Sequence, residues 1–297
     1  MVIVQLLGGM GNQMFQYALG KHLALLNRAE LKLDTSILLN WTPGKHAVNR
    51  GFDLDIFNLS PVFASKKEIK KYHTDGFPVL DKVFFKLREK LQGNRMTKEK
   101  HFHFDPAVLQ AGGDLYLAGT WQSYKYFEAI EEEIRKDFAF SLPLSPAAEA
   151  LKQQLVQTNS VCLNVRRTDY VSVAATSSIM APVGIGYYKK ALRKMQELQG
   201  DFSVFVFSDD IEWCRTNLAF IEQPVTFVDH SYAGRKFSDY LQLMAACKHY
   251  IIPNSTFAWW GAWLNGSSSK TVIAPVEWFN DPSVSSADLI PSSWIRL

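Results

Sequence analysis

Beyond residue 146 the chain repeatedly exchanges one kind of periodicity for another. Short apolar runs at 160–165, 202–207, 224–228, 250–252 and 271–274 read as strands. Between them, 187–199, 211–220, 237–248 and 257–264 carry apolar residues at three-to-four spacing and read as helices. Strands and helices that take turns in this way imply a parallel sheet covered on both faces. The C-terminal half is therefore expected to be a Rossmann-like α/β domain, with ligands at the C-terminal ends of its strands.

The opening residues, "QLLGGMGNQMFQYALG", suggest a second domain of the same class. A strand over 2–7 runs into Gly8-Gly9-Met10-Gly11-Asn12-Gln13. A helix from Asn12 to about Arg28 and a strand over 31–34 complete one βαβ unit. The helix rests on Phe15, Ala18, Leu19, His22, Leu25 and Leu26. A dinucleotide fingerprint would need a third glycine where Met14 stands. Methionine there denies the close helix–strand approach that glycine permits.

Residues 40–142 are less regular. "VLDKVFFKLREKLQG" (79–93) reads as a helix with Leu80, Val83, Phe84, Leu87 and Leu91 on one face. Its Lys82, Lys86, Arg88 and Lys90 suit a solvated basic face, the preferred reading, or peripheral contact with an anionic membrane. "FSLPLSPAAEA" places two prolines and two serines between patterned segments and reads as a boundary. Domains are accordingly expected at 1–145 and 146–297, facing a central cleft.

Composition excludes other classes. The 297 residues are 47% hydrophobic and 21% charged, which suits a folded globular chain and not a disordered one. The net charge of +3 is spread out, so nucleic acid is not indicated. Cys162, Cys214 and Cys247 lie far apart inside apolar segments, without zinc spacing. No run is long and apolar enough to cross a bilayer, and no basic leader precedes the first strand. These features point to a cytoplasmic protein, with the basic helix as a candidate point of contact at the inner face of a membrane.

Three loops at strand ends carry the chemistry. In "CLNVRRTDY", Asn164 and Arg166 share a parity and thus a face, and arginine offers a permanently charged fork suited to a diphosphate. A surface Arg–Asp pair with Asp169 is the plain alternative. In "IIPNSTFAWWGAWL", a strand delivers Asn254, Ser255 and Thr256 to a helix start, where free N–H groups bind anions or a hydroxyl merely caps. Trp259, Trp260 and Trp263 are spaced for a helix core more than for stacking on a sugar or base. In "FSDD", Asp209 and Asp210 can hold a ribose or cap the following helix.

These blocks recur together in one family. "GGMGNQMFQYA", "NVRRTD", "GTWQSYKYF" (119–127), "FSDDIEW" (207–213), the run 239–264 and "VIAPVEWF" (272–279) resemble, in order and over nearly the whole chain, the bacterial α-1,2-fucosyltransferases. The resemblance implies a GT-B glycosyltransferase fold of two Rossmann-like domains. It implies inverting transfer of L-fucose from GDP-β-L-fucose, typically to the 2-hydroxyl of a β-galactoside, with no metal and no cofactor. The partners are then the donor and a galactose-containing glycan.

By the same resemblance Arg166 holds the donor diphosphate. Ser255, Thr256 and Phe257 line the β-phosphate, and Asp239 accepts from the guanine edge. Asn12 reaches toward phosphate and fucose from the loop of Gly9 and Gly11. The donor set also includes Asn164, Asp209 and Asn254. Asn164 departs from the family, which usually has histidine there, so the side chain at that position has no ionisable group. An amide can still hydrogen-bond a ribose or phosphate.

"DLD" at Asp53–Asp55 matches the spacing of metal-dependent transferases, but Phe52, Leu54, Ile56 and Phe57 suggest a partly buried segment, and no second ligand cluster supports a metal. Asp34, Asp53, Asp55 and Glu128 are the available first-domain carboxylates for a general base, without a ranking among them. Two other classes remain open on the residues alone. A nicotinamide-dependent oxidoreductase would use Asp34 as ribose acceptor, and a non-catalytic sugar-nucleotide-binding protein would keep the phosphate loops without the reaction.

Overall fold

A computed structural model of the chain describes residues 1–39, 51–72, 95–168, 180, 182–281 and 284–297. The basic helix expected at 79–93 and Asp169 lie outside the described residues. The chain forms two compact units. The first comprises Met1–Ala139 with Ala287–Leu289, and the second Phe140–Ser286 with Ile290–Leu297. The division falls at the start of the proline–serine stretch. Asn58 N donates to the Ala139 carbonyl within the first unit, while Ser145 N donates to Asp239 and Gln242 Nε2 to the Leu142 carbonyl within the second.

The first unit is built on a four-stranded sheet of β1 (Val2–Gln5), β2 (Leu31–Asp34), β3 (Arg95–Lys98) and β4 (Leu115–Ala118). Its order is β2-β1-β4-β3, and every pair is parallel. The helix Met10–Leu26 starts two residues before the expected point, at the Gly9 cap. Phe15, Ala18, Leu19 and His22 are buried as expected, but Leu25 and Leu26 are about half exposed and Leu23 takes the buried place. The helix nonetheless passes very close to the sheet. A Cβ on Gly20 would lie 2.8 Å from Leu31 Cδ1 and 3.2 Å from Val4 Cγ1. The approach that the dinucleotide fingerprint assigns to its third glycine is made here at Gly20, two turns or so further on, while Met14 packs fully buried.

The second unit carries a six-stranded parallel sheet in the order β10-β9-β8-β5-β6-β7. Its members are β5 (Ser160–Val165), β6 (Ser203–Ser208), β7 (Val225–Val228), β8 (His249–Ile251), β9 (Val272–Ala274) and β10 (Ile295–Arg296). Five of these fall within a residue or two of the expected runs. The two-residue β10 adds an edge strand that its length hid. Because both faces are covered, β5 is buried at every position, and Val161, Leu163, Val204 and Val206 pack on Tyr188, Ala191 and Met195 of the helix Ile185–Gln199. All three cysteines are free and buried, and burial pushes the Cys214 thiol up to about 11.

Strand order fixes where a ligand can sit in the second unit. From β5 the chain builds outward through β6 and β7, then crosses to β8 on the other side of β5 and continues to β9 and β10. The order reverses between β5 and β8, and the crevice beyond the C-terminal ends of those strands is the place where open α/β sheets bind ligands.

Candidate functional site

Two of the loops singled out by sequence meet at that switch point. Leu163 of β5 pairs with Ile251 of β8, so the segments 164–168 and 252–256 leave the sheet side by side. The 252–256 segment enters the helix Thr256–Leu264. Ser255 caps it, its Oγ accepting from Ala258 N at 3.5 Å, and Thr256 and Phe257 follow in the first turn. Asn254 is 3% exposed and donates through Nδ2 to the Trp278 carbonyl at 3.0 Å, which ties the loop to the chain after β9. A helix start of this kind carries partial positive charge and suits an anion.

Across the crevice the two arginines have separate jobs. Arg166 Nη1 pairs with Asp209 Oδ2 at 3.0 Å, with about a quarter of its side chain exposed. One nitrogen of the fork is thereby fixed, and guanidinium supplies five donors in all. Arg167 instead lies over the Trp213 ring at 3.9 Å, with Nε 3.6 Å from Asp210 Oδ2. The stacked, paired guanidinium packs the loop against the helix Ile211–Asn217.

The two aspartates of "FSDD" also divide their work. Asp210 caps the helix, accepting from Trp213 N at 3.2 Å. Asp209 accepts from Arg167 N at 2.9 Å and Thr168 N at 3.0 Å besides its pair with Arg166. Its carboxylate holds the loop after β5 in shape and anchors the arginine. Asn164, 6% exposed at the end of β5, donates to the Met244 sulfur at 3.8 Å.

Asp239 lies in the first turn of the helix Ser238–Ala246 and is 5% exposed. Its Oδ2 accepts from Ser145 N at 3.0 Å and its Oδ1 from Ser238 Oγ at 3.0 Å, which leaves roughly two of four acceptor positions. The segment leading to it is strained. Lys236 and Phe237 have φ of 53° and 62°, a region costly for residues with side chains. Gly234, at φ 66°, abuts the Asp239 carboxylate so closely that any Cβ would overlap it. Trp259, Trp260 and Trp263 are buried among one another and Trp294, which makes them core.

In the first unit the glycine loop also lies at a switch point, between β1 and β4. Gly8 adopts φ 77°, and a Cβ there would come 2.5 Å from Asn12 Nδ2, so glycine at this position makes room for the Asn12 amide. Asn12 Oδ1 accepts from Gln122 Nε2 at 3.0 Å. Gln13 braces the loop by donating to the Gly8 and Gly51 carbonyls at 3.0 and 2.8 Å, and Gln16 grips Leu7 and Gly119. Gly9 is the helix cap and Gly11 lies in its first turn. Gln122 was not singled out by sequence, although it sits inside the "GTWQSYKYF" block.

The carboxylates considered for proton transfer differ in access. Asp34 is fully buried, accepting from Tyr116 OH at 2.5 Å and Ser36 N at 2.8 Å, so it serves the sheet and not a solvent-facing hydroxyl. Asp53 N donates to Gln13 Oε1 at 2.9 Å, and Leu54 and Ile56 beside it are fully buried. Among the described residues no group of three or more His, Cys, Asp and Glu side chains is spaced to hold a metal ion. No described helix is long and apolar enough to cross a membrane.

An arginine loop and a capped helix start flanking one switch point define an α/β protein equipped to hold an anionic ligand. The chain belongs to glycosyl transferase family 11, whose model matches residues 1–297. It is 33% identical to an α-1,2-colitosyltransferase of Escherichia coli, over 100% of this chain and 98% of the relative. It is 31% identical to the O-antigen biosynthesis glycosyltransferase WbnK of Escherichia coli, over 98% of each. Human galactoside α-(1,2)-fucosyltransferase 1 is 27% identical over 88% of this chain and 65% of that one. The fold resembles a crystal structure of NodZ α-1,6-fucosyltransferase soaked with GDP-fucose, with TM-score 0.51 and 17% identity over 89% of this chain and 91% of that one. It also resembles an Arabidopsis thaliana FUT1 mutant in complex with GDP, with TM-score 0.54 and 10% identity over 99% and 75%.

Proposed function

We propose that the chain is an inverting, metal-independent GT-B transferase that moves L-fucose from GDP-β-L-fucose to the 2-hydroxyl of a β-galactoside. The observation that carries this reading is the pairing, at one switch point, of Arg166 with the Ser255-capped helix start. Departure of GDP leaves charge on a diphosphate, which transferases neutralise with a divalent metal or with arginine and helix-terminus dipoles. This site has the second set. Arg166 takes the diphosphate, with Asp209 orienting its fork. Ser255, Thr256 and Phe257 present hydroxyls and N–H groups to the β-phosphate. The remaining acceptor positions of Asp239 read the guanine edge, and Asn164 and Asn254 complete the donor site. Asn12, on the loop of Gly9 and Gly11 in the first unit, is a further residue of the reaction by the family resemblance, its amide held by Gln122. No cofactor takes part.

A second reading concerns the donor sugar, because a relative that matches the full chain at 33% identity is an α-1,2-colitosyltransferase. Colitose is fucose lacking its 3-hydroxyl, so both sugars present the same anomeric chemistry. The test is a thermal-shift panel of GDP, GDP-fucose, GDP-colitose and NAD, followed by transfer to lactose with linkage analysis of the product. Stabilisation by the GDP compounds alone, and an α-1,2-fucosylated product, are expected. Stabilisation by NAD alone would overturn the reading. GDP-fucose binding without transfer or hydrolysis would leave a sugar-nucleotide-binding protein.

A further inference from the structure

Outside the loops discussed so far, the first unit contains a cavity of about 130 Å³ beside the edge strand β3. Its wall is unusual in carrying both signs of charge. Glu99 and Asp105 supply carboxylates, Lys98, Lys100 and His101 supply donors, and the buried Val108 and Ala111 supply an apolar side. A bare anion would meet the two carboxylates, and a bare cation would meet the lysines. A neutral ring with an apolar C–H face and a rim of hydroxyls, each both donor and acceptor, satisfies every wall at once. The volume is on the order of four waters at about 30 Å³ each in the liquid, the scale of a single small ring and not of an oligosaccharide.

The floor of this cavity is built around Glu99. Its Oε2 accepts from Thr120 N at 2.6 Å and Thr120 Oγ1 at 2.8 Å, and its Oε1 accepts from Trp121 N at 2.9 Å. Of about four acceptor positions on a carboxylate, one on Oε1 has no partner among the described residues. The same bonds hold Trp121 at φ 57°, a conformation that a bulky residue keeps only when its surroundings impose it. Gly119 is required beneath, since a Cβ there would stand 2.8 Å from Glu99 Oε2. Burial raises the carboxyl above its ordinary range despite three bonds, which strengthens it as an acceptor for a hydroxyl.

We propose that this cavity is a saccharide subsite, in which the open position of Glu99 and the Asp105 carboxylate accept from sugar hydroxyls, Lys98 and His101 donate to them, and Val108 and Ala111 face the ring. Its use for the galactose of the acceptor rests on the reading of the chain as a fucosyltransferase. Saccharide binding itself does not. Glu99 is also a positioning residue, because the loop that carries Gln122 to Asn12 hangs from it.

The test plugs the cavity without touching that framework. Ala107 lines the cavity and is exposed, whereas Gln110, on the next turn, is exposed and does not line it. Methyl β-D-galactopyranoside is added to the full chain, and saturation transfer from protein to ligand is recorded by NMR. Transfer should be lost in Ala107→Phe and kept in Gln110→Phe, both at the native melting temperature. With lactose as acceptor, Ala107→Phe should raise the acceptor KM by roughly ten-fold or more, equivalent to losing at least one good hydrogen bond, and leave the GDP-fucose KM unchanged. Unaltered saturation transfer and acceptor KM in the plugged variant would overturn the subsite, even with transferase activity intact. Sugar binding that the plug abolishes, in a chain that ignores GDP-fucose, would keep the subsite and sink the transferase reading instead.

Discussion

Replacing either arginine of the 166–167 pair by lysine keeps the charge and removes the planar fork, and the two positions should respond in opposite ways. At Arg166 one nitrogen pairs with Asp209 Oδ2 at 3.0 Å, and the planar fork can hold that carboxylate and a diphosphate oxygen at once. A lysine that stays with Asp209 has a compact ammonium and cannot span both partners. The loss should fall on the step in which charge gathers on the leaving diphosphate, by about 10²–10³ in kcat, the effect of removing one transition-state donor. Stability should change less than at position 167, because lysine keeps a charge opposite Asp209 and the bonds of that carboxylate to Arg167 N and Thr168 N do not involve the substituted side chain. At Arg167 the guanidinium lies 3.9 Å from the Trp213 ring centre and 3.6 Å from Asp210. Lysine there forfeits stacking worth about 1–2 kcal/mol, so the melting temperature should drop by roughly 2–8 °C, while kcat of the folded enzyme persists. Turnover at saturating GDP-fucose and a melting curve for each variant decide the matter. A crippled but stable Arg167→Lys beside a normal Arg166→Lys would refute the assignment and exchange the roles.

Activity should survive EDTA, since arginine and the helix start supply the neutralising charge; loss of turnover restored by manganese or magnesium would remove that argument. Asp239→Asn should weaken GDP binding by about 1.5–3 kcal/mol, the value of charge-assisted bonds, and should also lower the melting temperature through Ser145 N. Calorimetry with GDP and ADP separates the two effects, and unchanged GDP affinity would show that Asp239 only braces Ser145, the cap of the helix Pro146–Gln157. Burial lowers the pKa of His249, whose Nδ1 accepts from Thr271 N at 3.0 Å and so requires the neutral ring. With the folded pKa below the unfolded value of about 6.5, its contribution is complete above that pH and declines as pH falls through 6.5 toward the folded pKa. Melting temperatures recorded from pH 8 to 5 should therefore fall more steeply for the native chain than for His249→Asn, and parallel curves would count against this.

How much of this was legible from sequence depends on burial. The strands of the second sheet were readable because a parallel sheet covered on both faces forces continuous apolar runs, and β5 is buried at all six positions. In the first unit, β3 reads "RMTK", an edge strand with no apolar run to announce it, and β4 is four residues between a glycine turn and the "GTW" block. Glu99 was passed over for a related reason. Nothing near it in sequence shows that it will cap the backbone of residues 120 and 121, which lie one strand away. The left-handed Trp121 that this cap enforces has no sequence signature either, since the usual signal for such a conformation is glycine or asparagine.

The "RRTD" and "FSDD" blocks were legible as chemistry but not as a division of labour. Parity on a strand placed Arg166 and Asn164 on one face, yet β5 ends at Val165, so strand parity does not govern the loop that follows. What separates the arginines is Asp209, which turns the backbone at 167 and 168 by accepting both N–H groups and holds the Arg166 fork with an oxygen of the same carboxylate. The neighbouring Asp210 caps its own helix and faces Arg167. Two adjacent acids after β6 thus sort two adjacent arginines after β5, Arg166 onto Asp209 and Arg167 onto Asp210 and the Trp213 ring. That sorting requires β5 and β6 to run parallel and in register from Ser160 opposite Ser203 to Val165 opposite Ser208, a pairing that the two motifs acquire only in the folded sheet.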